Sequence, residues 1–326
     1  MARILTRQDV QKALPMPRAI KAVRDAFVQL SAGRADVPLR TALDVPRHNG
    51  VTLFMPAYLS VDDQMALKIV SVYDDNPDKG LPLIHALVVV VDVETGAPAA
   101  IMDGTYLTAL RTGAASGAAT EALAPPEARV AAVFGAGAQG RTQLEAVCAV
   151  RSIEEAWIYD VESERAGTYA DEMADRLDVG VRVAETPAVA VGSADVICTA
   201  TTSSRPVFDD ADVQPGTHIN AVGAYTPEMQ EIPSQTVLRA KVVIDHHEAA
   251  LAEAGDLLIP IDQGVMTADH ISAELGEVIA GDAPGRESSE EITLFKSVGV
   301  AVQDVAVAAA ALEAAQAMDL GTDVPL

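Results

Sequence analysis

A chain of 326 residues, 49% hydrophobic and 21% charged, has the material for about two domains with buried cores and is no disordered polymer. Its 47 acidic against 23 basic side chains give a formal charge of −24, which sets the surface against nucleic acid and anionic membranes as partners. No apolar run reaches the ~18 residues of a membrane span, and residues 1–7 turn polar too early for a secretory leader. In chain order, the first pattern is helical: Ile20, Val23, Phe27 and Leu30 recur at helix spacing over Met16–Ser31, with Pro17 at its start. Residues 51–55, 66–73 and 83–93 read as strands, rich in β-branched side chains and broken by Asn, Pro, Asp and Gly. Glu94-Thr95-Gly96 is a turn, and residues 97–102 form the return strand of a hairpin. A small-residue helix over 107–123 follows, able to let another backbone approach closely.

Pro125-Pro126 then punctuates the chain and the pattern changes. Strands at 129–134, 156–159, 181–183, 194–200, 218–222 and 241–244 alternate with helices at 139–150 and 163–177, as in a parallel sheet with crossover helices. The alanine-rich helix at 300–318 is expected to return to the first domain. The reading is therefore α/β: residues 123–301 as a Rossmann-type doubly wound dinucleotide domain, and residues 1–122 with 302–326 as an α+β domain. Seventeen Arg stand against 6 Lys. Carboxylates spread through the chain describe a solvated surface suited to a high-salt cytoplasm, where screening shortens repulsion. Cys148 and Cys198 lie in apolar stretches and read as buried free thiols of a reducing cytoplasm.

The most informative motif is Gly135-Ala136-Gly137-Ala138-Gln139-Gly140, fed by an apolar strand and leaving into a helix. Gly135 permits the turn, Gly137 lets a pyrophosphate reach the backbone, and Gly140 lets helix and strand pack. The helix start presents free N–H groups to the phosphates. Asp160, twenty residues after Gly140 at the next strand's end, suits the ribose hydroxyls of NAD and repels the 2′-phosphate of NADP. The rival is that Arg165 folds back to hold that phosphate.

Three basic residues stand out in the first domain. Lys68 lies inside an apolar strand, where lost hydration would bring its pKa towards neutrality; the alternative is an edge-strand lysine that snorkels to water. Arg111 opens the small-residue helix and Arg40 follows Val37-Pro38-Leu39. Either guanidinium suits a carboxylate clamp; the alternative is a surface ion pair in so acidic a chain, which is the favoured reading for Arg40 taken alone. Asp245-His246-His247-Glu248 has metal-ligand residue types, but strand neighbours point to opposite faces, so no metal is expected. Ser203-Ser204 lacks the elbow of a hydrolase nucleophile.

Phe54-Met55-Pro56-Ala57, Ala66-Leu67-Lys68, the Thr95-Gly96 hairpin, Leu110-Arg111-Thr112-Gly113-Ala114, the glycine loop and Leu294-Phe295-Lys296-Ser297-Val298-Gly299 occur in order. Together they make nearly the whole chain resemble the ornithine cyclodeaminase/μ-crystallin family. The resemblance implies a homodimer of two-domain subunits, the α+β domain carrying both dimerisation and substrate binding. It makes Lys68 the catalytic acid or base and gives the substrate carboxylate to Arg40 and Arg111. It sets Thr112 and Ser297 beside the cofactor and Thr201 and Thr202 along its adenosine side, with Val222 and Gly223 counted among the cofactor residues.

One departure matters. Cyclodeaminases and archaeal alanine dehydrogenases of the family carry an aspartate two residues before the proline of the 222–231 segment; here that position is Tyr225. A tyrosine, with a reference pKa near 10, is a poor base at neutral pH, and the segment reads like that of the ketimine reductases. Glu228, three residues on, is the alternative carboxylate. The expectation is an NAD(P)H-dependent oxidoreductase acting on the CH–NH or C=N bond of a small carboxylated imine or amino acid, such as Δ1-pyrroline-2-carboxylate. Alanine dehydrogenase, ornithine cyclodeaminase with internally recycled NAD, and a non-catalytic ligand binder are the alternatives.

Overall fold

The computed structural model describes residues 1–325, which form two compact units, 1–111 with 300–325, and Thr112–Gly299. The seam falls inside the small-residue helix and not after it. That helix runs unbroken from Gly104 to Leu123, and its first turns, ending at Arg111, belong to unit 1.

The elements of unit 1 begin with β1 (Ala2–Leu5), α1 (Arg7–Ala13), α2 (Met16–Ser31), β2 (Ala35–Asp36) and β3 (Thr41–Val45). They continue through β4 (Gly50–Leu59), β5 (Gln64–Tyr73), β6 (Ile84–Val91), β7 (Pro98–Asp103) and α3 (Gly104–Leu123). Unit 2 follows with β8 (Val130–Phe134), α4 (Ala138–Val150), β9 (Glu155–Tyr159), α5 (Ser163–Leu177), β10 (Gly180–Val183), α6 (Pro187–Val191) and β11 (Val196–Thr199). It ends with β12 (His218–Ala221), α7 (Ser234–Arg239), β13 (Lys241–Ile244), α8 (His247–Glu253), α9 (Gly255–Asp262), β14 (Ile271–Glu274), α10 (Leu275–Ala280) and β15 (Thr293–Lys296). The chain returns to unit 1 in α11 (Ala301–Ala317) and β16 (Thr322–Val324).

The sheet of unit 1 runs β16-β1-β7-β6-β5-β4-β2, with β3 paired to β4, and β4 through β7 are antiparallel neighbours. Alternation along β5 buries Ala66, Lys68 and Val70 on the face covered by α11, which packs on β4, β5, β6 and α2. The opposite face leaves Phe54, Pro56, Leu67, Ile69, Leu87, Val89 and Ile101 partly exposed.

The sheet of unit 2 runs β10-β9-β8-β11-β12-β15-β13-β14, all neighbours parallel. Strand β8 is a continuous apolar run because both faces are covered, whereas β12 and β15 also bury polar side chains, His218 and Asn220, and Thr293 and Lys296. Val133, Leu144, Val147, Ile158, Tyr169, Met173 and Val196 form one core beneath α4 and α5. Strand order reverses between β8 and β11, the doubly wound pattern, and in such sheets ligands bind beyond the carboxyl ends at that reversal.

Candidate active site

Lys68 is 1% exposed, and an ammonium removed from water costs several kcal/mol unless paired. Its Nζ donates to Asp304 Oδ2 at 2.7 Å, and Asp304 is itself 1% exposed in the first turn of α11, where the helix dipole favours a carboxylate. Arg111 is buried as well. Its Nη1 donates to Gln303 Oε1 at 2.6 Å and its Nε lies 3.3 Å from Asp304 Oδ1. That last pair is an ion pair without a hydrogen bond, so both atoms, with Gln303 Nε2, stay buried with capacity unspent.

Burial is the chief force on Lys68, and it pulls the ammonium down to about 7. The charge of Arg111 pushes the same way, Asp304 opposes by charge and hydrogen bond, and Arg40 adds a smaller push downward. Lys68 therefore feels the charge of both Arg111 and Arg40. Sequence reasoning missed Asp304 and Gln303. Their signal was two adjacent polar residues in the first turn of an alanine-rich helix whose next polar side chain is Glu313.

In unit 2, β8 runs into Gly135 at φ +101°, where a Cβ would stand 2.6 Å from the Ala200 carbonyl oxygen. A Cβ on Gly140 would run into the Gly135 carbonyl oxygen, so helix and turn close only around glycine. At Gly137 an added Cβ would meet nothing within 4 Å. Gly137 and Ala138 are exposed, Gln139 is half-buried, and the 13-residue α4 begins there. An open helix start is what a pyrophosphate needs, so these residues fit a dinucleotide.

Asp160 Oδ2 accepts the Ala136 N–H at 2.8 Å and Oδ1 accepts the Glu162 N–H at 2.9 Å, which leaves each oxygen a further lone pair for a ribose. Arg165 Nη2 is engaged by Glu162 Oε1 at 3.0 Å, a second carboxylate close to where a 2′-phosphate would go. The loop has a clamp the sequence did not disclose. Arg141 Nη1 donates to the carbonyls of Ala136 (2.6 Å) and Gly137 (3.1 Å), and Arg141 also binds Glu172 and lies over the Tyr169 ring.

The other candidates are less uniform. Thr112 is buried on α3, Thr202 exposed, Val222 half-buried. Thr201 donates both its N–H and its hydroxyl to Glu231, and Gly223 its N–H to the same carboxylate. Ser297 is buried, its hydroxyl on Asp245 Oδ2 at 2.7 Å. Asp245 Oδ2 also accepts the N–H groups of Val298 and Gly299, so it holds a turn. Among the described residues no three His, Cys, Asp or Glu side chains are grouped to hold a metal. Tyr225 is half-buried and Glu228 exposed. Cys148 is half-buried and Cys198 buried, both free, and burial pushes both thiols up to about 12.

Comparison with known proteins adds to this geometry. The model of the ornithine cyclodeaminase/mu-crystallin family matches residues 1–319. A Δ1-pyrroline-2-carboxylate reductase of Bacillus cereus is 40% identical over 306 residues, 94% of each chain. The solved Δ1-pyrroline-2-carboxylate reductase of Thermococcus litoralis, in complex with NADH and L-proline, superposes with a TM-score of 0.96 at 44% identity, covering 99% of this chain and 100% of that one. An archaeal alanine dehydrogenase dimer with bound NAD gives 0.93 at 38% identity, covering 100% and 99%.

Proposed function

The chain belongs to the ornithine cyclodeaminase/mu-crystallin family, and on that premise we propose that it is an NADH-dependent reductase of a small carboxylated imine, Δ1-pyrroline-2-carboxylate or a near relative. The observation that carries the reading is the buried cluster of Lys68, Asp304 and Arg111, with Arg40 in electrostatic reach. Arg111 and Arg40 hold the substrate carboxylate, for which a guanidinium offers paired donors. Lys68 sits near neutrality, so it gives its proton to the imine nitrogen without a large mismatch. Asp304 keeps the ammonium populated against desolvation and the charge of Arg111. When bound, the dinucleotide supplies the hydride that reduces the imine carbon.

Unit 2 is the dinucleotide domain in this reading. Gly135, Gly137, Ala138, Gln139 and Gly140 receive the pyrophosphate and Asp160 the adenosine ribose, with Thr112, Thr202, Val222 and Ser297 along the bound molecule. Two carboxylates near the ribose, with Arg165 already paired to one, favour NAD over NADP. Unit 1 is the substrate domain, and its half-exposed apolar sheet face suits a second copy of the chain, as a homodimer. The enzyme is read as cytoplasmic, and no helix among the described residues is long and apolar enough to cross a membrane. The acid surplus is read as an adaptation to high salt, which equal melting in low and in molar KCl would refute.

The deciding experiment follows NADH absorbance with pyrroline-2-carboxylate, with pyruvate plus ammonia, and with ornithine. Turnover is expected with the first. Turnover confined to pyruvate plus ammonia makes the enzyme an alanine dehydrogenase, and ammonia release from ornithine without net NADH change makes it a cyclodeaminase. Lys68→Ala is expected to lower kcat roughly a hundredfold or more, and full activity would remove the proton donor.

A further inference from the structure

Glu231 lies in the segment after β12, is 0% exposed, and has no place in the chemistry above. Its carboxylate accepts five hydrogen bonds, four from two different loops and one from the end of β11. From the loop after β11 come the Thr201 N–H (2.6 Å) and hydroxyl (2.7 Å), both to Oε1, and from the last residue of β11 the Thr199 hydroxyl (2.9 Å) to Oε2. From the loop after β12 come the N–H groups of Gly223 (2.8 Å) and Ala224 (3.0 Å), both to Oε2. Three of the five donors are backbone N–H groups, which cannot accept, and they face both oxygens, an arrangement that suits an ionised carboxylate.

The carboxylate is itself held. Asp256 Oδ1 accepts the N–H groups of Glu231 (2.7 Å) and Ile232 (2.9 Å). Asp256 Oδ2 accepts Lys296 Nζ at 2.8 Å, and Lys296 also donates to the Ala224 carbonyl. Burial and the charge of Asp256 push the Glu231 carboxyl above its ordinary value, and Lys296 and Thr201 offset only part of that rise. The two tied loops leave the carboxyl ends of adjacent strands β11 and β12, beside the reversal of strand order. The first abuts the glycine turn, since a Cβ on Gly135 would lie 2.6 Å from Ala200 O and 3.2 Å from Thr201 Cγ2.

We infer that Glu231 is a positioning residue for the dinucleotide, one buried carboxylate that fixes the loops after β11 and β12 against the glycine turn before the cofactor binds. The inference rests on the nicotinamide reading and deepens it. It reassigns Thr201: its two donors and the Gly223 N–H face Glu231, so they shape the bed and do not bond the cofactor. Contact there falls to Thr202 and to the backbone at Val222.

The test compares wild type with Glu231→Gln, Glu231→Asp and Thr199→Val. It measures NADH dissociation constants by Trp157 fluorescence, KM for NADH and for the imine separately, and the thermal melt. Glu231→Gln places an NH2 against donors and is expected to raise Kd and KM for NADH about tenfold or more, with imine KM within about twofold of wild type. Glu231→Asp should recover part of the loss. Thr199→Val, which removes the one donor at the end of β11, should raise KM for NADH by a few-fold, and it decides the matter should Glu231→Gln fail to fold. NADH binding unchanged in a folded Glu231→Gln or in Thr199→Val, or equal rises in both KM values, overturns the inference alone. Wild type that binds no NADH overturns the nicotinamide reading itself, and this inference with it.

Discussion

Lys68 is a residue whose chemistry is set by what surrounds it. Its ammonium is the proton donor in the proposed reduction, so the rate is expected to be high on the acid side and to fall as pH rises through about 7. Asp304 holds that limb up. Asp304→Asn removes a charge that stabilises the ammonium, so the limb should move to lower pH and the rate at neutral pH should drop roughly tenfold. A pH–rate profile of kcat checks both, and an unmoved limb in Asp304→Asn would separate the titration from this pair. Lys68 was legible because a lysine inside an apolar strand is conspicuous in a chain with only 6 of them. Arg40 and Arg111 remained ambiguous until their common neighbour was seen. Asp304 was passed over: the polar pair opening α11 is visible in the sequence, but nothing local says that the fourth residue of a late helix faces a strand of the amino-terminal sheet.

At the level of elements, the glycine turn and α4 show why some motifs can be read from sequence and others cannot. Each glycine answers a constraint within a few residues of itself, so spacing alone carries the message. Gly140→Ala is expected to cost ~2 kcal/mol or more through the clash with the Gly135 carbonyl, and to weaken NADH binding at the same time. A urea titration with and without NADH checks this, and an unchanged midpoint would contradict the packing argument. The Arg141–Glu172–Tyr169 clamp joins α4 to α5 across 31 residues and leaves no local pattern. Strand β15 also escaped the sequence reading: it is four residues long, follows the polar stretch 287–291, and inserts between β12 and β13 out of sequence order.

For the molecule as a whole, the fold class was legible because the shift from hairpin strands to alternating strands and helices follows from which faces are buried. The proposed homodimer is a matter of surface: a sheet with α11 on one side and half-exposed apolar residues on the other calls for a cover. Sedimentation is expected to give the mass of two chains, and Ile69→Asp, in the middle of that face, to give one. A dimer unperturbed by Ile69→Asp would direct the search to another surface. The position of α11 reaches further, into biosynthesis. Residue 68 leaves the ribosome long before its counter-ion, 236 positions later, has been translated. Until then the nascent amino-terminal sheet carries a cation on the side destined to be its interior, and only the closing segment both seals that interior and switches the lysine on. If Lys68 is the proton donor proposed above, any message or protease that stops short of Asp304 is expected to yield an inert chain, however intact its nucleotide-binding half.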